Sequence, residues 1–373
     1  MEIANFGVEE WLNVYETQAT LDIAQSTIAS MTMSELMALS PDNGTQFYQD
    51  LAQQKMNYGA IEGSEAFKQA VSELYQTVNS NQVLQTNGAT GANLLALYAL
   101  VKPGDHVISM FPTYQQLYEI PISIGATVSY WQLDEANNWV PDIAELKKLI
   151  RPETKLICLN NANNPTGTVI STELMQAIVE VARTVGAYVL VDEVYLPLGE
   201  GQQTTSIADL YELGIATNSL SKTYSVPGIR VGWLVANETL TDLFRKYRDY
   251  TMICAGVFSD QLAVYVLQHR KQVLARNRAL VQRNLKIFKA WVAQEPLVDV
   301  VYPESVSTSF IHFKEIEDDE AFCKYLLKEY GVLLVPGKRF EIPGHARLGY
   351  CAPEATLKKG WPNYQKRSEP INN

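Results

Sequence analysis

Cysteine and histidine are scarce in this 373-residue chain, four of each, and both sets are scattered. Cys158, Cys254, Cys323 and Cys351 form no CxxC pair, and His106, His269, His312 and His345 stand at no ligand spacing, so neither a zinc module nor a disulfide framework is legible. A reduced, cytoplasmic protein without a metal site is the expectation. Long apolar runs are missing as well: "LLALYALV" (94–101) stops at Lys102, far short of a membrane span. The opening "MEIANFGVEEWLNVYE" carries acids where a signal peptide needs cations, so export is not expected. Positive charge is in deficit. A formal net charge of -11 argues against nucleic acid or an anionic membrane as partner, and any anionic ligand must be held by local groups. No repeat, low-complexity tract or Gly/Ser-rich linker divides the chain.

What is present is a globular composition, 47% hydrophobic and 19% charged, long enough for two domains or one large α/β unit. From about residue 80, short β-branched runs alternate with longer amphipathic ones. "QVLQT" leads into "GANLLALYALV", "DHVISM" into "YQQLYEIPISIG", "TVSYWQL" into "IAELKKLI", and "KLICLNN" into "STELMQAIVEVARTVG" before "YVLVDEV". That alternation predicts an α/β fold with a mostly parallel sheet between helices, whose ligands sit at the carboxyl ends of the strands. Residues 259–295 read as one long helix or two joined ones, and its seven cations (Arg270, Lys271, Arg276, Arg278, Arg283, Lys286, Lys289) as a solvated face. After it, "TSFIHF", "VLLVPGK" and "HARLGY" read as strands of a smaller α+β domain, and "WPNYQKRSEPINN" as a frayed tail.

Four polar motifs follow the predicted strands, and each has a plain structural explanation when taken alone. "TNGATGAN" (86–93) opens a helix with small residues; it is a tight turn, or a phosphate seat on exposed N–H groups. "NNPTG" (163–167) is a turn by composition, and nothing local requires Asn164 to bind anything. In "VLVDEVY" (189–195), Asp192 ends an apolar strand, where a carboxylate is either a cap or a partner for a ligand cation. "NSLSKTYSVPGIRVGW" (218–233) sets Lys222 among hydroxyl residues, with Arg230 eight positions on. Most lysines are solvated, yet a desolvated one becomes a nucleophile, and arginine offers a fork matched to phosphate.

Taken in order, "GATGA", "NNPTG", "DEVY" and "SLSK" with its trailing arginine resemble the pyridoxal 5'-phosphate (PLP)-dependent aminotransferases of class I and II, fold type I. The resemblance runs from about Tyr58 to Arg347 and includes "YGAIEGSEAFKQAV", "PGDHVISMFPTY", "VLLVPGKRF" and "RLGY". It implies that Lys222 forms the internal aldimine and shuttles a proton, and that Asp192 keeps the pyridine nitrogen charged. Asn164 and Tyr195 would bond the ring oxygen, and Tyr114 would stack on the ring. Ala89, Thr90, Ser219, Ser221 and Arg230 would hold the phosphate. Arg347, with Asn164, would grip the substrate carboxylate. Tyr58 would reach the neighbouring subunit of a homodimer. Amino acid and 2-oxo acid substrates follow from the same resemblance.

The resemblance also divides the chain into an N-terminal segment (1–40), a large PLP-binding domain (41–265) and a small C-terminal domain (266–373). It weakens at three places. "TLDIAQSTIASMTMSELMAL" (20–39) replaces a Gly-Pro-rich cover, "SVSTSF" (305–310) replaces adjacent glycines, and the last helix is short after Lys359. "EEWL", "LDIAQS" and "SLSKTYSVPGIRVGW" are in turn similar to a capreomycidine-synthase-like subgroup, which implies elimination and ring closure on an arginine derivative as the alternative, or a C–S lyase type of reaction. A regulator built on the same scaffold would need a DNA-binding domain, for which this acidic chain shows no segment.

Overall fold

The computed structural model describes residues 2–199 and 204–360. A two-residue strand, β1 (Leu21–Asp22), precedes the seven strands of the main sheet. These are β2 (Val83–Thr86), β3 (His106–Phe111), β4 (Thr127–Gln132), β5 (Thr154–Asn160), β6 (Tyr188–Asp192), β7 (Gly214–Ser219) and β8 (Gly232–Val235). Their order is β2-β8-β7-β6-β5-β3-β4, with β8 antiparallel to both of its neighbours and the remaining pairs parallel. The apolar runs of β5 to β7 supply both faces at once. Ile157, Leu159, Val189 and Val191 join one core, while Leu156, Cys158, Leu190 and Ile215 join the other, as a period of two requires. Helix Gly88–Leu100 packs into the second core and helix Thr172–Arg183 into the first. The fold class read from the alternation is the one observed. Among the described residues, no helix is long and apolar enough to cross a membrane.

Beyond β8, helices Val257–Gln268 and Arg270–Val292 abut at His269, the two-helix form of the expectation. Their cations are not uniformly solvated, however. Arg276 donates to Ala29 O at 2.9 Å and Arg278 to Leu198 O at 3.2 Å, because irregular backbone packed on that face leaves carbonyls to satisfy. The chain then adds β9 (Val298–Val300), β10 (Ser309–Phe313), β11 (Val332–Leu333), β12 (Val335–Pro336) and β13 (His345–Leu348). An antiparallel sheet forms in the order β12-β13-β10-β9, while β11 pairs in parallel with β1. "VLLVPGK" is therefore two short strands in different sheets rather than one. The break falls at Leu334, whose carbonyl leaves the ladder to accept the Trp11 indole N–H at 2.8 Å. Gly349 lets the N-terminal stretch lie flush, since a Cβ there would overlap Gln25 O. The tail from Trp361, read as frayed, lies outside the described residues.

Candidate active site

The parallel strands end on one side of the sheet, and the polar motifs converge there around a cavity of about 470 Å3. Asp192 is the last residue of β6 and Ser219 the last of β7; Lys222 follows in the turn to β8, and Arg230 closes that turn. Ala89 and Thr90 open helix Gly88–Leu100, which has no side-chain N-cap, so its first N–H groups face the cavity unclaimed by Asn87. Asn164 comes from the loop after β5, Tyr114 from the loop after β3, and Arg347 from β13 of the other sheet. Tyr195 and Ser221 also line it. Tyr58 is not brought here. It is 81% exposed and lines a different cavity with Phe47, Asp260 and Tyr265.

Charge in the cavity is unbalanced. Among the described residues, Lys222 Nζ is bonded only to hydroxyls, Ser26 Oγ at 3.0 Å and Thr27 Oγ1 at 3.4 Å. Arg230 donates to Ser221 Oγ at 3.3 Å and to Pro227 O at 2.9 Å. Arg347, 3% exposed, donates to Ala24 O at 3.0 Å and to Asn164 Oδ1 at 3.2 Å. Among the described residues, none of the three cations pairs with a carboxylate. Burial, reinforced by the Arg347 charge, lowers the Lys222 ammonium to about 8. Burial raises Asp192 to about 6, against the pull of the Asn93 amide at 2.7 Å and the Val194 N–H at 3.2 Å. Tyr114, 3.4 Å from Thr90 Oγ1, is pushed up to about 12 by burial.

Arg347 is buried and Lys222 half-buried, while Arg230 lies exposed at the rim. Without counter-charges these cations call for anionic ligands, because an isolated buried charge is costly. The backbone leaves room for one. At Gly88, φ is +68° and a Cβ would come within 2.7 Å of Arg230 Nη2; at Gly232 a Cβ would meet the Ala89 nitrogen at 2.7 Å. A glycine-lined seat, helix N–H groups and a guanidinium fit a phosphate. A neutralisable lysine beside a buried acid fits an aldehyde-bearing, nitrogen-containing ring. Residues 26–360 match the model of the family described as aminotransferase class I and II.

The chain belongs to that family. It resembles the solved structure of a PLP-dependent aminotransferase from Streptococcus suis 89-1591, with 54% identity and a TM-score of 0.96 over 100% of both chains. Capreomycidine synthase of Streptomyces vinaceus is 29% identical over 362 residues, 95% of this chain and 91% of that one. An aspartate aminotransferase of Thermotoga maritima is 31% identical over 298 residues, 79% of this chain and 77% of that one.

Several residues in and behind this aminotransferase cavity were not singled out by sequence reasoning. Asn93 sits one helical turn beyond Thr90 in the quoted "TNGATGAN", and it bridges Asp192 Oδ2 to Thr217 Oγ1 at 2.7 and 2.6 Å. An asparagine facing inward from an otherwise small and apolar helix was the available signal. Ser26 and Thr27 lie in the atypical N-terminal segment, whose position in space no local pattern announces. Phe6 and Glu9 line the mouth, where Gln115 holds the N-terminal helix by accepting from Gly7 N at 2.8 Å and donating to Asn5 O at 2.9 Å.

Proposed function

We propose that this aminotransferase, with PLP as its cofactor, moves an amino group from an L-amino acid to a 2-oxo acid. The observation that carries the reading is the set of three cavity cations without carboxylate partners, which suits one phosphate and one substrate carboxylate. Arg230, Ser219, Ser221 and the N–H groups at Ala89 and Thr90 would hold the phosphate. Asp192 would face the ring nitrogen, Asn164 and Tyr195 the ring oxygen, and Tyr114 the ring face. Bound there, the cofactor supplies an electrophilic carbon and an electron-withdrawing ring.

Lys222 Nζ would hold the cofactor covalently and, once released, move a proton at the substrate Cα. With its ammonium lowered to about 8, roughly one amine in ten is neutral at pH 7, against about one in three thousand at the ordinary value. Asn93 keeps Asp192 anionic by donating to its Oδ2. Arg347 and Asn164 would orient the substrate carboxylate, and the N-terminal helix would limit water at the mouth. Residues 41–265 would then carry the cofactor, with 266–373 as the smaller domain and 1–40 as cover. The outward-facing Tyr58 supports a homodimer in which it reaches the other subunit's phosphate.

Borohydride reduction of the loaded enzyme followed by peptide mapping tests the assignment. The label belongs on Lys222, and a label on another lysine overturns it. A donor panel with 2-oxoglutarate tests the reaction. A second reading, cyclisation of an amino acid with a cationic side chain, is favoured by the carboxylates of Glu9 and Glu16 at the mouth and by the likeness to capreomycidine synthase along 95% of the chain. Turnover that needs no 2-oxo acid, and that Glu9→Gln slows, would establish it over transfer.

A further inference from the structure

A cluster outside the cavity joins the two larger sheets. His312 on β10 and His345 on β13 are directly opposite in the antiparallel register, so both imidazoles rise from one face. Against them stands Glu135, in the 3-10 turn after β4, the edge strand of the seven-stranded sheet. Glu135 Oε2 lies 3.3 Å from His345 Nε2 and 3.4 Å from His312 Nδ1. One donor atom from each residue lies within 4.8 Å of the other two.

Hydrogen bonding settles the tautomer of one ring. His345 Nδ1 is 3.0 Å from the Pro343 carbonyl, which can only accept, so the N–H sits on Nδ1. The Nε2 lone pair then faces a carboxylate oxygen, and two lone pairs at that distance repel unless a cation lies between them. A proton is one such cation and a divalent metal is another. An imidazolium–carboxylate hydrogen bond closes to about 2.7–2.9 Å. A tetrahedral ion with bonds of about 2.0–2.1 Å instead sets its ligand atoms roughly 3.3–3.4 Å apart. Both separations around Glu135 match the metal.

We propose that Glu135, His312 and His345 form a site for one zinc-class divalent cation that ties the turn after β4 to the four-stranded sheet. Two imidazole nitrogens and one carboxylate suit zinc, cobalt, nickel or copper, whereas magnesium and calcium prefer oxygen throughout. His345 is held for the task, stacked on Phe310 at 4.8 Å and 15°, with Pro343 O fixing its orientation from behind. His312 is stacked on His345 at 4.6 Å and 13°, so the two in-plane lone pairs run nearly parallel. Its side chain, 38% exposed, has to turn out of that stack to close the third edge, which leaves a coordination position to water. Two residues beyond His345, the same strand carries Arg347, so the cation would steady the strand that presents that guanidinium. Because its ligands lie far apart in the sequence, the site has no motif.

Tag-free, cofactor-loaded enzyme is stripped with a chelator and titrated with ZnCl2 by calorimetry, with the melting temperature followed in parallel. One equivalent per chain and a rise in melting temperature are expected. Glu135→Gln and His312→Ala should each weaken binding at least tenfold, and His312→Ala should leave the melting temperature of the stripped protein unchanged because the ring is only half-buried. The proposal is overturned by no saturable binding, by binding of equal affinity in the Glu135→Gln/His312→Ala double variant, or by magnesium matching zinc.

Discussion

Replacing Lys222 by methionine should stabilise the cofactor-free protein at neutral pH. In the folded chain, burial lowers this ammonium from 10.5 to about 8. Between those values the unfolded amine keeps its proton while the folded one has lost it, so stability rises with pH across that window. Below pH 8 the full penalty applies. A shift of about 2.5 units at 1.36 kcal/mol each is a penalty of about 3 kcal/mol at pH 7. Methionine fills a comparable volume and removes the charge. It also removes the hydrogen bonds to Ser26 and Thr27, each worth about 0.5–1.5 kcal/mol. The net gain at pH 7 is therefore about 0–2 kcal/mol. By pH 10 most of the penalty has gone in the wild type, so the methionine advantage should fall by about 2.5 kcal/mol and change sign. Urea midpoints of both cofactor-free proteins at pH 7 and pH 10 measure this, since all other titrations cancel in the difference. An advantage that stays constant between the two pH values would refute the reasoning, because it would mean that the folded amine is not desolvated.

Four further outcomes follow from the same geometry. Arg230→Ala should weaken PLP binding about ten- to a hundredfold, the worth of a charge-assisted contact, with the absorbance of bound cofactor unchanged; equilibrium dialysis and a spectrum check both. Gly88→Ala places a Cβ within 2.7 Å of Arg230 Nη2 at a φ of +68°, and should loosen PLP in the same assay while leaving Lys222 labelling intact. Asn93→Ala removes a donor from Asp192, so its carboxyl, at about 6 in the cofactor-free protein, should titrate about one unit higher by carbon-13 shift, with Asp192→Asn assigning the signal. Arg347→Lys keeps the charge but loses the fork, and should raise KM for donor and acceptor at least tenfold with a smaller change in kcat.

Much of the scaffold was legible because β5 and β6 are apolar on both faces, and a covered parallel sheet satisfies such strands. The motif positions then followed, since Asp192 and Ser219 end strands whose carboxyl ends share one rim. What remained hidden depended on distant chain segments meeting. Ser26 touches Lys222 across 196 residues of sequence, and nothing in "LDIAQS" announces it. The same limit split "VLLVPGK": the run is uniformly apolar, and only the Trp11 indole, arriving from the far end of the chain, decides where its ladder breaks.

The N-terminal segment, where the resemblance to the wider family was weakest, is thus where two of the site's cations find their neutral partners. β1 pairs with β11, which commits residues 21–22 to the sheet side of the small C-terminal elements. The following backbone supplies Ala24 O to Arg347 and the hydroxyls of Ser26 and Thr27 to Lys222. One short stretch therefore contacts both the amine and the guanidinium, using neutral acceptors in each case. Neutral partners matter. A carboxylate at position 26 would hold Lys222 protonated and oppose the lowering that burial imposes, and one at position 24 would compete for the fork of Arg347. Small and uncharged residues there keep the two cations oriented but unneutralised, so their charge is left for a ligand to balance.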